Sequence, residues 1–236
     1  EKKHLSLKEA RNRKYQIDWE RDNAPEPNIQ GIQVFHDYSL SEIADYIDWS
    51  PFFHAWEMKG IYPQILDNKK YGDEARKLFL DGKTLLQRIV KDKHFTAKAV
   101  IGIYPAYAID ETVYIENTAF YFPRQLIDKG IDSPNYSLAD FIAPKGDFMG
   151  LFALTTGNGV KELALQYEKQ NDDYNAIMVK VLADRLAEAL AEHLHEKVRR
   201  EFWGYAPDED LENVELIKEK YKGIRPAPGY PACPDH

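Results

Sequence analysis

The sequence predicts a mixed α+β domain with a largely antiparallel sheet and several helices, one of them much longer than the rest. Three observations carry this reading. Val100 to Tyr104, Thr112 to Ile115, Ala119 to Phe122 and Phe148 to Leu154 are β-branched or aromatic runs bounded by turn residues, as strands are. They are not each followed by a helix, which argues against a parallel doubly wound sheet. From Asp172 to Phe202, in contrast, Tyr174, Ile177, Met178, Val181, Leu182, Leu186, Ala189, Leu190, Leu194 and Val198 keep the helical period without a Gly or Pro.

Taken in chain order, residues 1–30 read as an arm. Ser6 and Glu9 have capping-box spacing and open a short charged helix from Leu7 to Tyr15. Ala24-Pro25-Glu26-Pro27 then breaks regular structure. Two readings stay open: a linker from something upstream, whose removal over 1–22 leaves the domain folded, or a terminal strap on this same domain. The body, 31–236, begins near Gly31. Ser39 to Glu42 is a second capping box, opening a helix through Ile47, and Asp48-Trp49-Ser50-Pro51-Phe52-Phe53 follows as an aromatic turn. From Asp73 to Val90, positions 75, 78, 79, 85, 86, 89 and 90 are apolar at helical spacing, with Gly82 in the same stripe. After the strands comes the long helix. Asp172 and Asp173 lie at its positive end, and Lys197, Arg199 and Arg200 at its negative end. A last helix from Leu211 to Tyr221 is stopped by Gly223.

Composition removes several function classes. The 236 residues suffice for a real core. With 31 Lys and Arg against 39 Asp and Glu, the formal charge is −8, a poor balance for tracking nucleic-acid phosphates. The single cysteine, Cys233, excludes an intrachain disulfide and zinc sites built on several cysteines, and fits a reducing, cytoplasmic home. No apolar run is long enough to span a bilayer, and Glu1-Lys2-Lys3-His4 opens no signal peptide.

Chemistry concentrates in the tail, Gly223-Ile224-Arg225-Pro226-Ala227-Pro228-Gly229-Tyr230-Pro231-Ala232-Cys233-Pro234. Its prolines forbid helix and central strand, leaving an extended, stiff segment whose backbone groups are free for a ligand. Gly229 allows close approach, Arg225 can grip a carboxylate with two parallel bonds, and Tyr230 offers a flat face with a polar tip. The same residue types also suit a proline-rich strap on the surface.

The string Arg225 to Pro234 resembles the signature of the reactivation domain of cobalamin-dependent methionine synthase. Further blocks agree in order and spacing: Tyr46-Ile47-Asp48-Trp49 with Pro51-Phe52-Phe53, Leu138 to Lys145, Asp172-Asp173-Tyr174-Asn175, Leu182 to Ala189, and Trp203-Gly204-Tyr205-Ala206-Pro207. The arm, ending Ile17-Asp18-Trp19, is similar to the linker entering that domain. The resemblance implies a C-shaped α+β body with a shallow groove for S-adenosylmethionine. It implies reductive methylation of inactive cob(II)alamin to methylcobalamin, with the cobalamin presented by another module and the electron given by flavodoxin or a flavin reductase. It places ligand contacts at Asp48, Glu188, Arg225, Ala227 and Gly229, with Tyr230 in the same motif. Arg225 is expected to hold the methionine carboxylate. Ala227 and Gly229 offer backbone groups, and Asp48 and Glu188 meet positive or hydroxyl-bearing parts. The sequence departs from the family in a shorter stretch over 104–124, with Tyr107 where an Asn is common, and in stopping at His236.

Competing readings are weaker. His193 and His195 are two apart on a helix and do not share a face, so a metal site is not expected. Asp184, Glu188 and Glu192 form an acidic stripe that without the resemblance reads as a solvated face. The main rival function is a docking module that caps a corrinoid-carrying partner without binding S-adenosylmethionine. No motif places the nucleophile and base of a hydrolase. The chain also lacks the Asp-x-His-x-x-Gly cobalamin signature, so it is not expected to complete methionine synthesis alone.

Overall fold

A computed structural model describes residues 3–233. It is α+β, with a five-stranded, wholly antiparallel sheet. In chain order the regular elements are α1 (Leu7–Asn12), β1 (Gly31–Tyr38), α2 (Leu40–Ala44), α3 (Ser50–His54), α4 (Gly72–Lys91), β2 (Thr96–Ile109), β3 (Thr112–Ile115), β4 (Thr118–Tyr121), β5 (Asp147–Asn158), α5 (Val160–Glu168), α6 (Asp173–Lys197) and α7 (Asn213–Ile217). A one-turn π-helix, Val198–Phe202, continues α6.

Strand β2 organises the sheet. Its first part lies between β1 and β5, and its last four residues pair with β3. The sequence places the strand's end at Tyr104 because Pro105 follows. The strand instead runs through Pro105, which falls where β2 changes neighbour from β1 to β3. A missing N–H there removes no ladder bond on that edge. The division also separates the cores. Ala97 and Ala99 join the main core with α2, α3, α4 and α6, while Ala106, Val113 and Ile115 form a smaller one with Ala139.

Helix α6 is the spine. Met178, Leu182, Leu186, Leu190 and Leu194 are fully buried along it, so truncating any one to Ala costs about 2–5 kcal/mol. Gly82 of α4 sits in the apolar stripe because a Cβ there would come within 2.7 Å of the Phe52 ring.

Several sequence expectations need correction. The helix expected to Tyr15 ends at Asn12: the Arg13 carbonyl accepts from Asn135 N–H, and Tyr15 stacks on Phe141 at 5.2 Å. The expected aromatic turn, 48–53, runs from Ser50 into the short helix α3, Ser50–His54. The last helix covers only Asn213–Ile217, because Glu219 takes a positive φ of 53° and turns Tyr221 back onto α6. Strand β1 and helix α5 had not been anticipated, although Val160, Leu163, Ala164 and Tyr167 have helical spacing.

The arm lies against the body. Leu5 and Ala10 are buried, Leu5 N–H donates to Leu126 O at 2.8 Å, and Trp203 Nε1 donates to Pro25 O at 2.9 Å. Arg11 donates through Nε and Nη2 to Glu111, which Arg124 also contacts at 2.8 Å. Arg124 in turn grips Asp140 with two bonds of 2.7 Å. Burial pushes the Glu111 carboxyl up, but bonds from Arg11 and Arg124 outweigh it and leave the group below its ordinary range.

Candidate functional site

The candidate site is assembled on one face of α6. Residues four apart on a helix are neighbours, so Glu188, Glu192 and Glu196 form one row. Each stands differently. Glu196 accepts from Tyr46 Oη at 2.6 Å and from Arg200 Nη1 at 2.8 Å. Glu192 accepts from Arg225 Nη2 at 3.0 Å. Glu188 is exposed and has no hydrogen-bond or ion-pair partner among the described residues.

The bond to Glu196 fastens the turn that carries Asp48. Tyr46 also lays its ring on His193, with centroids 4.7 Å apart. Asp48, two residues on, is half-buried and accepts from Ser50 N–H at 2.9 Å. His193 therefore packs among Tyr38 and Tyr46. His195 points elsewhere, accepting at Nδ1 from Arg199 at 2.7 Å. Burial, then Arg199 and Arg225, pushes His195 down to about 3, so the ring is neutral and serves as an acceptor. Among the described residues no cluster of three or more His, Cys, Asp or Glu could hold a metal ion.

The bond to Glu192 fastens the tail. The π-turn after α6 turns Arg199 inward, where it is fully buried and bonds Glu209 at 2.6 Å. The Tyr221 ring covers the Arg199 guanidinium at 4.1 Å. Gly223 then turns the chain at a φ of +94°, against the Tyr205 hydroxyl, where a Cβ would come within 2.6 Å. The chain thus runs back along α6, from Arg199 at Tyr221 to Glu192 at Arg225. Beyond Arg225 a compact turn forms: Tyr230 N–H donates to Ala227 O, Cys233 N–H to Tyr230 O, and Gly229 N–H to Cys233 O. Gly229 takes a φ of +92°, a conformation that favours glycine. Among the described residues, Ala227 N–H and Gly229 C=O have no hydrogen-bond partner. The Tyr230 ring is 57% exposed, which leaves its face open. Pro234 lies outside the described residues.

Of the six residues singled out, Glu188 lies on this helix face and Arg225 is bonded to it, Asp48 follows two residues after Tyr46, which is also bonded to it, and Ala227, Gly229 and Tyr230 follow on Arg225. Sequence reasoning had Glu192 only as part of a solvated stripe. Its signal was the spacing of four from Glu188, but nothing in the sequence pairs it with a residue 33 positions away. The site is an open face. A cavity of about 700 Å³ between β5, α5 and α6 is lined by Asp184 and Ala187 but by none of the six. Among the described residues no helix is long and apolar enough to cross a membrane.

Fold and face together define an α+β module with an open face of charged side chains and free backbone groups. Residues 39–236 match the activation domain of vitamin B12 dependent methionine synthase, and the chain belongs to that family. It is similar to a solved structure, the MetH reactivation domain bound to AdoHcy, at 43% identity and a TM-score of 0.90, over 98% of this chain and 74% of that one. The chain is thus a domain of a methyltransferase.

Proposed function

We propose that the domain binds S-adenosylmethionine on the face formed by Asp48, Glu188, Arg225, Ala227, Gly229 and Tyr230, and so supports reductive methylation of cob(II)alamin. The observation that carries the reading is a set of unanswered polar groups in one place. Glu188 is exposed without a partner, the Arg225 guanidinium is bonded through a single nitrogen, and two backbone groups of the tail turn are free. The ligand's ammonium, sulfonium and carboxylate call for both signs of charge close together. Glu188 and Asp48 answer the positive and hydroxyl groups, and Arg225 answers the carboxylate. Ala227 and Gly229 offer a donor and an acceptor to the adenine, and Tyr230 offers its ring. The similar MetH domain bound to AdoHcy, a molecule of the same skeleton, supports the assignment.

Cobalamin carried by another module of the enzyme supplies the cobalt that takes the methyl group, once flavodoxin or a flavin reductase has given one electron. This chain's residues hold the methyl donor and orient it, and alone they are not a complete catalyst. Residues 1–30 enter from that upstream module, their described part lies on the domain, and the enzyme works in the cytoplasm. Calorimetric titration of the chain with S-adenosylmethionine tests the reading. Saturable binding with one site supports it. No binding favours a docking module that caps the corrinoid carrier without the ligand.

A further inference from the structure

The Arg225–Glu192 pair is one bond short of complete. Arg225 Nη2 donates to Glu192 Oε2 at 3.0 Å, while Arg225 Nε and Glu192 Oε1 are both buried and unpartnered. A guanidinium has two edges that can fork a carboxylate. The side-on edge carries Nε and Nη2, and the end-on edge carries Nη1 and Nη2. The contact made and both unpartnered atoms belong to the side-on edge and the carboxylate facing it. Nη1 has no protein partner among the described residues and is not shut off from solvent.

We propose that Glu192 is a positioning residue: it clamps the inner edge of Arg225 so that the outer edge faces the carboxylate of the bound methyl donor. The inference rests on the S-adenosylmethionine reading above. A free Arg side chain has many rotamers, an entropy that a ligand must otherwise overcome on binding. Held by Glu192, Arg225 has lost that freedom beforehand. The opposing effect is repulsion between Glu192 and the incoming carboxylate. The ligand's ammonium sits on the same carbon as its carboxylate and offsets that repulsion. The charged groups close enough to act on Glu192 are Arg225, Arg199 and Glu219, and of these Arg225 bonds it. Arg199 is already engaged by Glu209, which leaves Arg225 as the cation that Glu192 directs.

The test uses the full chain and two ligands, S-adenosylmethionine and its decarboxylated form, which keeps the ammonium, the sulfonium and the adenosine. Glu192→Ala is expected to weaken S-adenosylmethionine about tenfold and to change the decarboxylated ligand by less than about twofold. Glu192→Gln keeps an acceptor for Nη2 and is expected to recover part of the loss. In an Arg225→Ala background, Glu192→Ala should add nothing. Melting temperatures check the fold, and the Gln variant carries the test if the Ala variant does not fold. Equal weakening of both ligands means that Glu192 holds the loop as a whole or contacts the ammonium, and overturns the proposal. Tighter binding by Glu192→Ala means that it competes for Arg225, and overturns it too. If the unaltered chain binds S-adenosylmethionine and Glu192→Ala binds it equally well, the proposal alone fails. If the unaltered chain does not bind, the ligand reading fails and takes the proposal with it.

Discussion

The arm and the tail are both irregular, polar segments laid on the body, yet they are finished differently. In the arm, Leu5 and Ala10 are buried, the Arg13 carbonyl is taken by Asn135, and Arg11 reaches a carboxylate that Arg124 also holds. These contacts are closed by the protein itself. In the tail, Arg225 makes one bond while Nε is buried unpartnered, and Ala227 N–H and Gly229 C=O are open. Native proteins seldom leave buried polar groups unsatisfied without reason, and Arg225 Nε is such a group. On the proposed reading, the difference sets a segment that stabilises beside one that offers groups to a ligand, although the two look alike in composition.

The largest expected effect lies on the arm side. Arg124→Met would leave Glu111 and Asp140 buried with their main cation gone, at a cost of about 3–5 kcal/mol. Urea unfolding of the variant measures it, and a cost under about 1 kcal/mol would show that these charges are not truly desolvated. Deleting residues 1–22 comes next. Burial of Leu5 alone is worth about 1.5–3 kcal/mol, so the truncated domain is expected to fold but melt earlier. The arm's contribution should also depend on pH. Glu111 has its folded pKa lowered, so its stabilisation is fully present above the ordinary value near 4.5 and is lost as pH falls through the folded value. The gap in melting temperature between full and truncated chains should therefore narrow in acid, and a gap that widens would contradict the charge assignment.

On the tail side the comparison predicts the opposite pattern. Arg225→Ala leaves the largely buried Glu192 without its one partner, so stability should fall by about 1–3 kcal/mol, less than on the arm side. Affinity for S-adenosylmethionine should fall about 10- to 100-fold, since a charged hydrogen bond is worth about 1.5–3 kcal/mol. Arg225→Lys should recover only part, because an ammonium cannot reproduce the fork. A variant that melts early but binds normally would make the tail a strap like the arm.

How much of this was legible in the sequence depends on the range of the interaction. The period of α6 and the β-branched runs are local signals, and they located the long helix and four of the five strands. Strand β1 escaped because Ile32 and Val34 face solvent, so its alternation only makes sense once it is paired with β2. Pro105 misled because its neighbours across the sheet were unseen. In the site, the tail motif stood out by resemblance and by its prolines. Glu192 did not, because its partner lies 33 residues away and the two unsatisfied atoms of the pair are visible only in the fold. The packing of the arm was equally hidden, since Arg11 and Glu111 are 100 residues apart.

The smallest expected effect concerns Gly229. Its φ of +92° is one that L residues adopt only with strain, so Gly229→Ala should cost about 1 kcal/mol wherever the turn must be kept. Where that cost appears is informative. The turn of Ala227, Gly229, Tyr230 and Cys233 is closed by three bonds of its own, and Arg225, Gly229 and Tyr230 are not part of the hydrophobic cores. The turn can therefore open without unfolding the body, and the strain should be absent from the melting temperature. It should appear instead in ligand binding, which needs the turn closed, as a loss of about fivefold in affinity. Calorimetry and thermal unfolding on the one variant separate the two places. An earlier melt with unchanged affinity would mean that the turn belongs to the folded body and that the ligand does not use it.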